Sequence, residues 1–401
     1  MKERPVTPTL GVRRREVLTG MGAAVLAVAG GMPMARAQEK ALIRTTRARR
    51  LARGLSASFW FEWAPVQDPA AMRKRIDDWY RPADFAQIRA LGFDHVRVSI
   101  QPDFTAPKLD SGDPELSAER MDILDRAMKS ILDHDLTVVL DNHATSKVKD
   151  KISANDSFRN TMTQWWRNFA GHVAGQGQYR PENTLLELLN EPERSFDDID
   201  RYRTIIGQFI SAVRSSARDY TIIVGGNRWN VAEAIYDGLK TPFADPNLIY
   251  TFHFYLPMEF THQGLENAGP FYAKLKDIPW DVGPGSLSDS ALAAYPPEVR
   301  DALRPYNEKS HRKDDLRWAF DGLKTWCDGH GQIAWLGEFG VYSHTARPAQ
   351  RAAWIRDVRE LAEEHGFGWA MWEARGGFGL FLPGDSRPLT VDRPILEALG
   401  L

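Results

Sequence analysis

A single (β/α)8 barrel, an α/β fold of eight parallel strands each followed by a helix, is the fold class this 401-residue sequence predicts. Three observations predict it. Eight short apolar runs rich in Val, Ile, Leu and aromatics recur along the chain. One-sided helical patterns separate them. The first run, "GLSASFWFEW", has none of the glycine-rich fingerprint that usually accompanies the alternative, an open doubly wound sheet.

The runs are residues 55–61, 95–100, 136–140, 184–189, 220–224, 248–254, 333–336 and 368–372. They are near-continuously apolar, as in strands covered on both faces. From the interval between the second and third runs onward, helical spacing is explicit. Leu124, Met128, Ile131 and Leu132 follow i, i+4, i+7, i+8, and Tyr202, Ile205, Ile206, Phe209, Ile210 and Val213 form a longer stripe of the same kind. Trp354, Val358, Leu361 and Ala362 repeat that spacing, and Gly366 supplies a stop. The interval 256–311 is irregular, rich in Pro, Gly and aromatics such as Phe260, Trp280 and Tyr295. Following the sixth run, it belongs on the C-terminal face of a barrel, where it either binds a ligand or is a decorative insertion.

Residues 1–37 stand apart. "RRREVLTG" precedes an apolar run at 21–31 and then "ARA" at 35–37, the order of a cleavable export signal, here of the twin-arginine type. The apolar part is well short of the roughly 20 residues a membrane span needs. The expected organisation is therefore an export signal over 1–37 and one folded domain over 38–401, periplasmic or secreted, with no stable membrane association after cleavage. The first 37 residues carry six basic and two acidic side chains, leaving 45 and 51 in the remainder, a formal charge of −6. Such a balance argues against a nucleic-acid partner, which needs a basic surface. The one cysteine, Cys327, excludes an internal disulfide and a thiolate-based metal cluster.

In a barrel of this kind the C-terminal strand ends converge on one face. Read there, the second run offers Arg97, the third Asp141, Asn142 and His143, the fourth Asn190 and Glu191, and the fifth Asn227 and Trp229. The sixth offers His253 and Tyr255, the seventh Glu338 and the eighth Trp372. Glu191 and Glu338 are thereby placed as a pair, and two carboxyl groups flanking a sugar linkage carry out glycoside hydrolysis. His143 and His253 lie in no metal-binding motif, no GxSxG elbow is present, and "GGFG" at 376–379 reads as a turn, so no metal or cofactor is expected. Trp165, Trp166 and Trp354 are assigned to packing. Trp229 and Trp372, with Trp60, Trp63 and Trp280 as loop candidates, are the rings placed to stack on sugar faces.

"LLNEPE", "FHFY", "GEFG" and "WAMW" together resemble glycoside hydrolase family 5, cellulase-like retaining enzymes on a (β/α)8 barrel. The resemblance implies Glu191 as acid/base and Glu338 as nucleophile. It further implies Arg97 steadying the nucleophile, His143 at the third strand end, Asn190 on the sugar 2-hydroxyl, His253 and Tyr255 contacting the carboxylates, and Trp372 beneath the reacting sugar. "SFWFEW" departs from the family's asparagine- and glycine-rich first strand, and "DNHAT" lacks its frequent second histidine, which affects subsite shape. Retention requires the two carboxyls about 5 Å apart. Arg97 and the Tyr255 hydroxyl are expected to keep Glu338 ionised, and that anion to keep Glu191 protonated.

The substrate expected is a polysaccharide or oligosaccharide, foremost a β-1,4-glucan cut internally. β-Mannan, β-1,3-glucan and a noncatalytic polysaccharide-binding role on the same scaffold remain alternatives. With no appended carbohydrate-binding domain visible, a soluble or cell-made glucan is favoured over crystalline fibre. Oligomeric state is not legible.

Overall fold

The computed structural model describes residues 39–40, 42–62 and 69–401, so the expected export signal, its cleavage point and Trp63 lie outside the described residues. Eight parallel strands form a closed barrel: β1 (Arg53–Phe61), β2 (His95–Ile100), β3 (Thr137–Asn142), β4 (Thr184–Glu187), β5 (Thr221–Val224), β6 (Leu248–Phe254), β7 (Ala334–Phe339) and β8 (Gly368–Met371). β8 closes onto β1 through the Gly54–Ala370 register. All eight coincide with the apolar runs of the sequence, because only a strand covered by helices outside and side chains inside can be apolar on both faces.

Val139, Leu185, Ile223, Ile249, Trp335 and Ala370 fill the N-terminal part of the barrel interior, and Leu51 packs onto them from the turn ahead of β1. Arg44 pins this entry segment by donating to Gln332 Oε1 at 2.8 Å and to Gly331 O at 2.7 Å, and Arg47 donates to Thr221 Oγ1 at 3.1 Å. The barrel floor is thus apolar and closed, which leaves the opposite end to hold polar groups.

The expected helical stripes face inward. Helix Ile199–Ser216 buries Tyr202, Ile205, Ile206, Phe209, Ile210 and Val213. Its N-terminus is capped by Asp198, which accepts from the Asp200 and Arg201 amides. Helix Ala118–Leu132 buries Leu124, Met128 and Ile131, and helix Pro348–Glu364 buries Trp354, Val358, Leu361 and Ala362. Gly366, at φ 73°, takes the left-handed conformation just past the last helix end.

Residues 256–311 do lie beyond β6, on the face that carries the strand tips. Their first turns lock to neighbouring loops: Tyr342 N donates to Thr261 O at 2.8 Å, and Trp354 Nε1 donates to Leu256 O at 3.1 Å. Trp280, expected in a loop, is 1% exposed and donates to Asp357 Oδ2 at 2.9 Å, so it anchors the insertion to helix Pro348–Glu364. Trp60 is equally buried, inside β1, with Nε1 on Ile76 O at 3.0 Å. Neither ring is available to stack on a sugar, because each has its faces in the core.

Candidate active site

Arg97 is the hub. It projects from β2 into the barrel, fully buried, and its five N–H groups are shared among four partners. Nε and Nη2 donate to Glu187 Oε2 and Oε1 at 2.7 and 3.0 Å, Nη1 to Glu338 Oε1 at 2.6 Å and Nη2 to Asn190 Oδ1 at 2.8 Å, with Asp141 Oδ2 3.0 Å from Nη2. A planar guanidinium suits such a fork of carboxylates. Burial alone would lower its pKa; Asp141, Glu187 and Glu338 outweigh that and raise it.

Glu338 reaches this hub through an irregularity. β6 and β7 pair Phe252 with Leu336 but His253 with Glu338, a one-residue register shift at Gly337. In a regular strand the side chains at 336 and 338 share a face, so the shift re-aims the acid. A Cβ at Gly337 would sit 2.2 Å from Thr251 Oγ1, which explains glycine there. Oε2 of Glu338 accepts from the Tyr255 hydroxyl at 2.9 Å, and His253 Nδ1 lies 3.5 Å away.

Glu191 arrives differently. Strand pairing of β4 ends at Glu187, earlier than the apolar run through Leu189 suggests. The chain then leaves the ladder, Asn190 N donating to Asn142 O at 3.0 Å, and Glu191 adopts φ 43°. Its carboxylate meets His253 Nδ1 at 2.8 Å. With its amide oriented by its partners, Asn230 accepts from Glu191 N at 3.2 Å and donates to Gly226 O at 2.9 Å. Trp229 N donates to Pro192 O at 2.7 Å, tying the β5 loop to the acid, and its ring is 41% exposed at the rim. Asn227 instead is buried and donates to Phe196 O, a structural bond.

Oxygens of Glu191 and Glu338 and a ring nitrogen of His253 all lie within 4.8 Å of one another. These are the donors among the described residues that converge closely enough to hold a cation. Both oxygens of Glu338 already accept from Arg97 and Tyr255, which competes with such binding. His143 completes the floor: Nδ1 lies 2.7 Å from Asp141 Oδ2, Nε2 lies 3.3 Å from Asn190 Nδ2, and the ring stacks on half-buried Trp372 at 5.6 Å. Arg97, Asp141, His143, Asn190, Glu191, His253, Tyr255 and Glu338 are thus brought together, with Trp372 against His143 and Trp229 at the rim, whereas Asn227, Trp60 and Trp280 stay outside the cluster.

Burial raises the Glu191 pKa, against Lys149, His143 and Arg97. The cause differs from the neighbouring anion expected from the sequence. Burial lowers the His253 pKa to about 4, leaving a neutral ring, and raises that of Tyr255.

Three acids went unread in the sequence. Glu187, fully buried, is the bidentate partner of Arg97; Glu62 and Glu373 are buried at the ends of β1 and β8. Glu373 accepts from Phe378 N at 3.2 Å and bonds the Ser58 hydroxyl. The signal was an acid inside or directly after an apolar run, a placement that is costly without a partner.

Burial pushes both Asp141 and Glu373 up to about 7, above their unfolded values, so the folded state keeps protons that the unfolded state has released. Stability from these groups is present at lower pH and is lost as pH rises through about 7. Below about 6.5 the depressed histidines, His253 among them, offset it, since the unfolded chain then binds their protons. The urea midpoint is expected to fall between pH 6 and 8, each acid contributing about 1 kcal/mol, and Glu373→Gln to remove its share. A flat profile in wild-type protein would contradict this.

A closed (β/α)8 barrel with an acid pair, an arginine hub and aromatic rings gathered at its C-terminal strand ends has the build of a barrel glycoside hydrolase. A family model described as cellulase (glycosyl hydrolase family 5) matches residues 58–377, and the chain belongs to that family. The chain is 25% identical over 307 residues to Endoglucanase 3 of Fibrobacter succinogenes, covering 72% of this chain and 45% of that protein, so it spans less than half of that relative. It is 24% identical over 306 residues to Endoglucanase C of Acetivibrio thermocellus, covering 75% and 85%. The crystal structure of the Clostridial cellulose synthase subunit Z from Clostridioides difficile superposes with a TM-score of 0.68 at 25% identity, covering 87% and 99%. The family is one of glycoside hydrolases, and the curated relatives are named endoglucanases.

Proposed function

We propose that this hydrolase is a retaining endo-β-1,4-glucanase working by double displacement. The observation that carries the proposal is the Glu191–Glu338 pair, with oxygens within 4.8 Å of each other, close to the separation of a retaining pair and well below the roughly 6.5–9.5 Å of an inverting one. Glu338, held by Arg97 and Tyr255, attacks the anomeric carbon while Glu191, whose pKa burial raises, protonates the departing oxygen. The covalent intermediate removes the charge of Glu338. Glu191, now an anion, takes a proton from water, which displaces the enzyme carboxylate and restores the starting anomer.

In this reading Asn190 holds the sugar 2-hydroxyl, a bond that strengthens as positive charge grows on the ring. Trp372 lies under the reacting sugar and the exposed ring of Trp229 receives the adjoining one. The endoglucanase names of the relatives support glucan as substrate. The relative named for cellulose synthesis supports a cell-made glucan, consistent with export signalled by "RRREVLTG" and action by the 38–401 domain outside the cytoplasm.

Purified protein lacking residues 1–37 is expected to cut carboxymethylcellulose with a rapid fall in viscosity, and soluble glucan faster than crystalline cellulose. Activity confined to mannan or laminarin would keep the mechanism and overturn the substrate. Equal rates on soluble and crystalline cellulose would overturn the preference for soluble glucan.

A further inference from the structure

β1 enters the site through a distortion. Its pairing with β2 shifts register between Ala57 and Phe61, and Phe59 sits at φ 55°. A bulge re-aims the residues that follow it, and a left-handed phenylalanine is strained, so the surrounding structure holds this shape against a local penalty. What the bulge delivers is Glu62. Its side chain is fully buried, Oε1 accepts from Phe59 N at 2.8 Å, and Oε2 makes no hydrogen bond among the described residues while standing 3.4 Å from His143 Nε2.

The protonation of His143 follows from its neighbours. Asn190 Oδ1 accepts from Arg97, so Nδ2 is the end of that amide that faces His143 Nε2. An amide N–H donates only to an unprotonated ring nitrogen, which puts the ring proton on Nδ1, toward Asp141. An ionised Glu62 would then set lone pair against lone pair at 3.4 Å, whereas the neutral acid offers an O–H.

We propose that Glu62 is a positioning residue, a neutral acid whose O–H serves Nε2 of His143, so that Asn190 can turn its N–H to the sugar without releasing His143 or the Trp372 stacked on it. The role rests on the reading of Asn190 as the 2-hydroxyl partner. No proton is transferred and no bond is broken. Being fully buried, Glu62 does not touch the sugar itself.

The groups facing Glu62 are His143 and Asp141 of β3, Glu373 beyond β8, and Arg75 of helix Pro69–Trp79, whose Nη2 donates to Phe59 O at 2.6 Å. Burial, Asp141 and Glu373 favour the neutral acid; His143 and the Phe59 amide oppose it, and the net shift is upward.

Two substitutions and one spectrum test the assignment. Glu62→Gln keeps a donor that can face Nε2, and kcat and KM on a soluble β-glucan are expected to stay within about threefold of wild type. Glu62→Ala removes the donor and is expected to lower kcat roughly 10- to 100-fold with little change in KM, because misplaced positioning groups cost that much. Circular dichroism of both variants separates this loss from unfolding. In 15N-histidine spectra at about pH 6, with the His143 signals identified by their loss in His143→Ala, the ring is expected as the neutral Nδ1–H tautomer in wild type and Glu62→Gln. A doubly protonated His143, or Glu62→Gln as damaging as Glu62→Ala, would overturn the proposal. The spectrum is read without turnover, so failure of the glucanase reading and failure of the Glu62 assignment are told apart.

Discussion

Glu338→Gly is expected to lower kcat on a β-glucan by roughly 10⁴- to 10⁶-fold, with the fold intact. On the proposed mechanism the variant removes the group that attacks the anomeric carbon, and nothing else described in the site can replace it: Glu187 and Asp141 are held deeper, on Arg97. Glu191→Ala is expected to lose roughly 10²- to 10⁴-fold, the range for a positioned acid and base. That loss should shrink on an aryl cellobioside, whose leaving group departs without a proton. Azide distinguishes the two roles by stereochemistry. In Glu191→Ala the covalent intermediate still forms, and azide entering opposite Glu338 yields the β-azide. In Glu338→Gly azide occupies the vacated side and yields the α-azide. Proton NMR of the products reads both, and an α-azide from Glu191→Ala, or inversion by wild-type protein, would refute the assignment.

Arg97→Met is expected to abolish activity and to cost about 3–5 kcal/mol of stability at pH 7, by analogy with other buried charge pairs that lose one partner. The methionine fills much of the space, so packing is not the main loss. Three carboxylates, Asp141, Glu187 and Glu338, lose the cation that all of them contact. They are then left to bind protons or to remain unpaired in a buried site, and burial already raises Asp141 and Glu187 with the arginine present. The sign follows: without Arg97, Asp141 and Glu187 hold protons to still higher pH, and their penalty grows as pH rises above the unfolded carboxylate range. Urea unfolding should show the deficit narrowing near pH 5 and widening toward pH 8. A deficit independent of pH would point to packing instead.

Much of the site was legible because each strand of a barrel ends on the same face. Once "TLLELLNEPE" is read as a strand, Asn190 and Glu191 fall at its tip, and "WLGEFG" places Glu338 likewise. The same stretch hid Glu187, whose position inside the strand resembled background charge until Arg97 was seen to take it in both hands of its guanidinium. Glu62 and Glu373 were hidden for a related reason. Sequence spacing does not reveal that a bulge at Phe59 turns Glu62 onto His143, or that the 376–379 turn, where a Cβ at Gly376 would lie 2.2 Å from Glu373 Oε1, closes over an acid. Among the tryptophans, Trp60 and Trp280 show the same limit: a ring near a loop is indistinguishable from a ring in the core until its neighbours are known.

By itself, then, the sequence determined the eight strands, the helical faces and the identity of the residues at the strand tips, because strand burial and helix amphipathicity are local periodicities written into neighbouring side chains. Tertiary structure alone decided how the tips meet. The register shift at Gly337, the left-handed turn at Glu191, the bulge in β1 and the sharing of one arginine among several acids all depend on contacts between residues far apart in the chain, and such contacts set the distances and protonation states on which the chemistry rests.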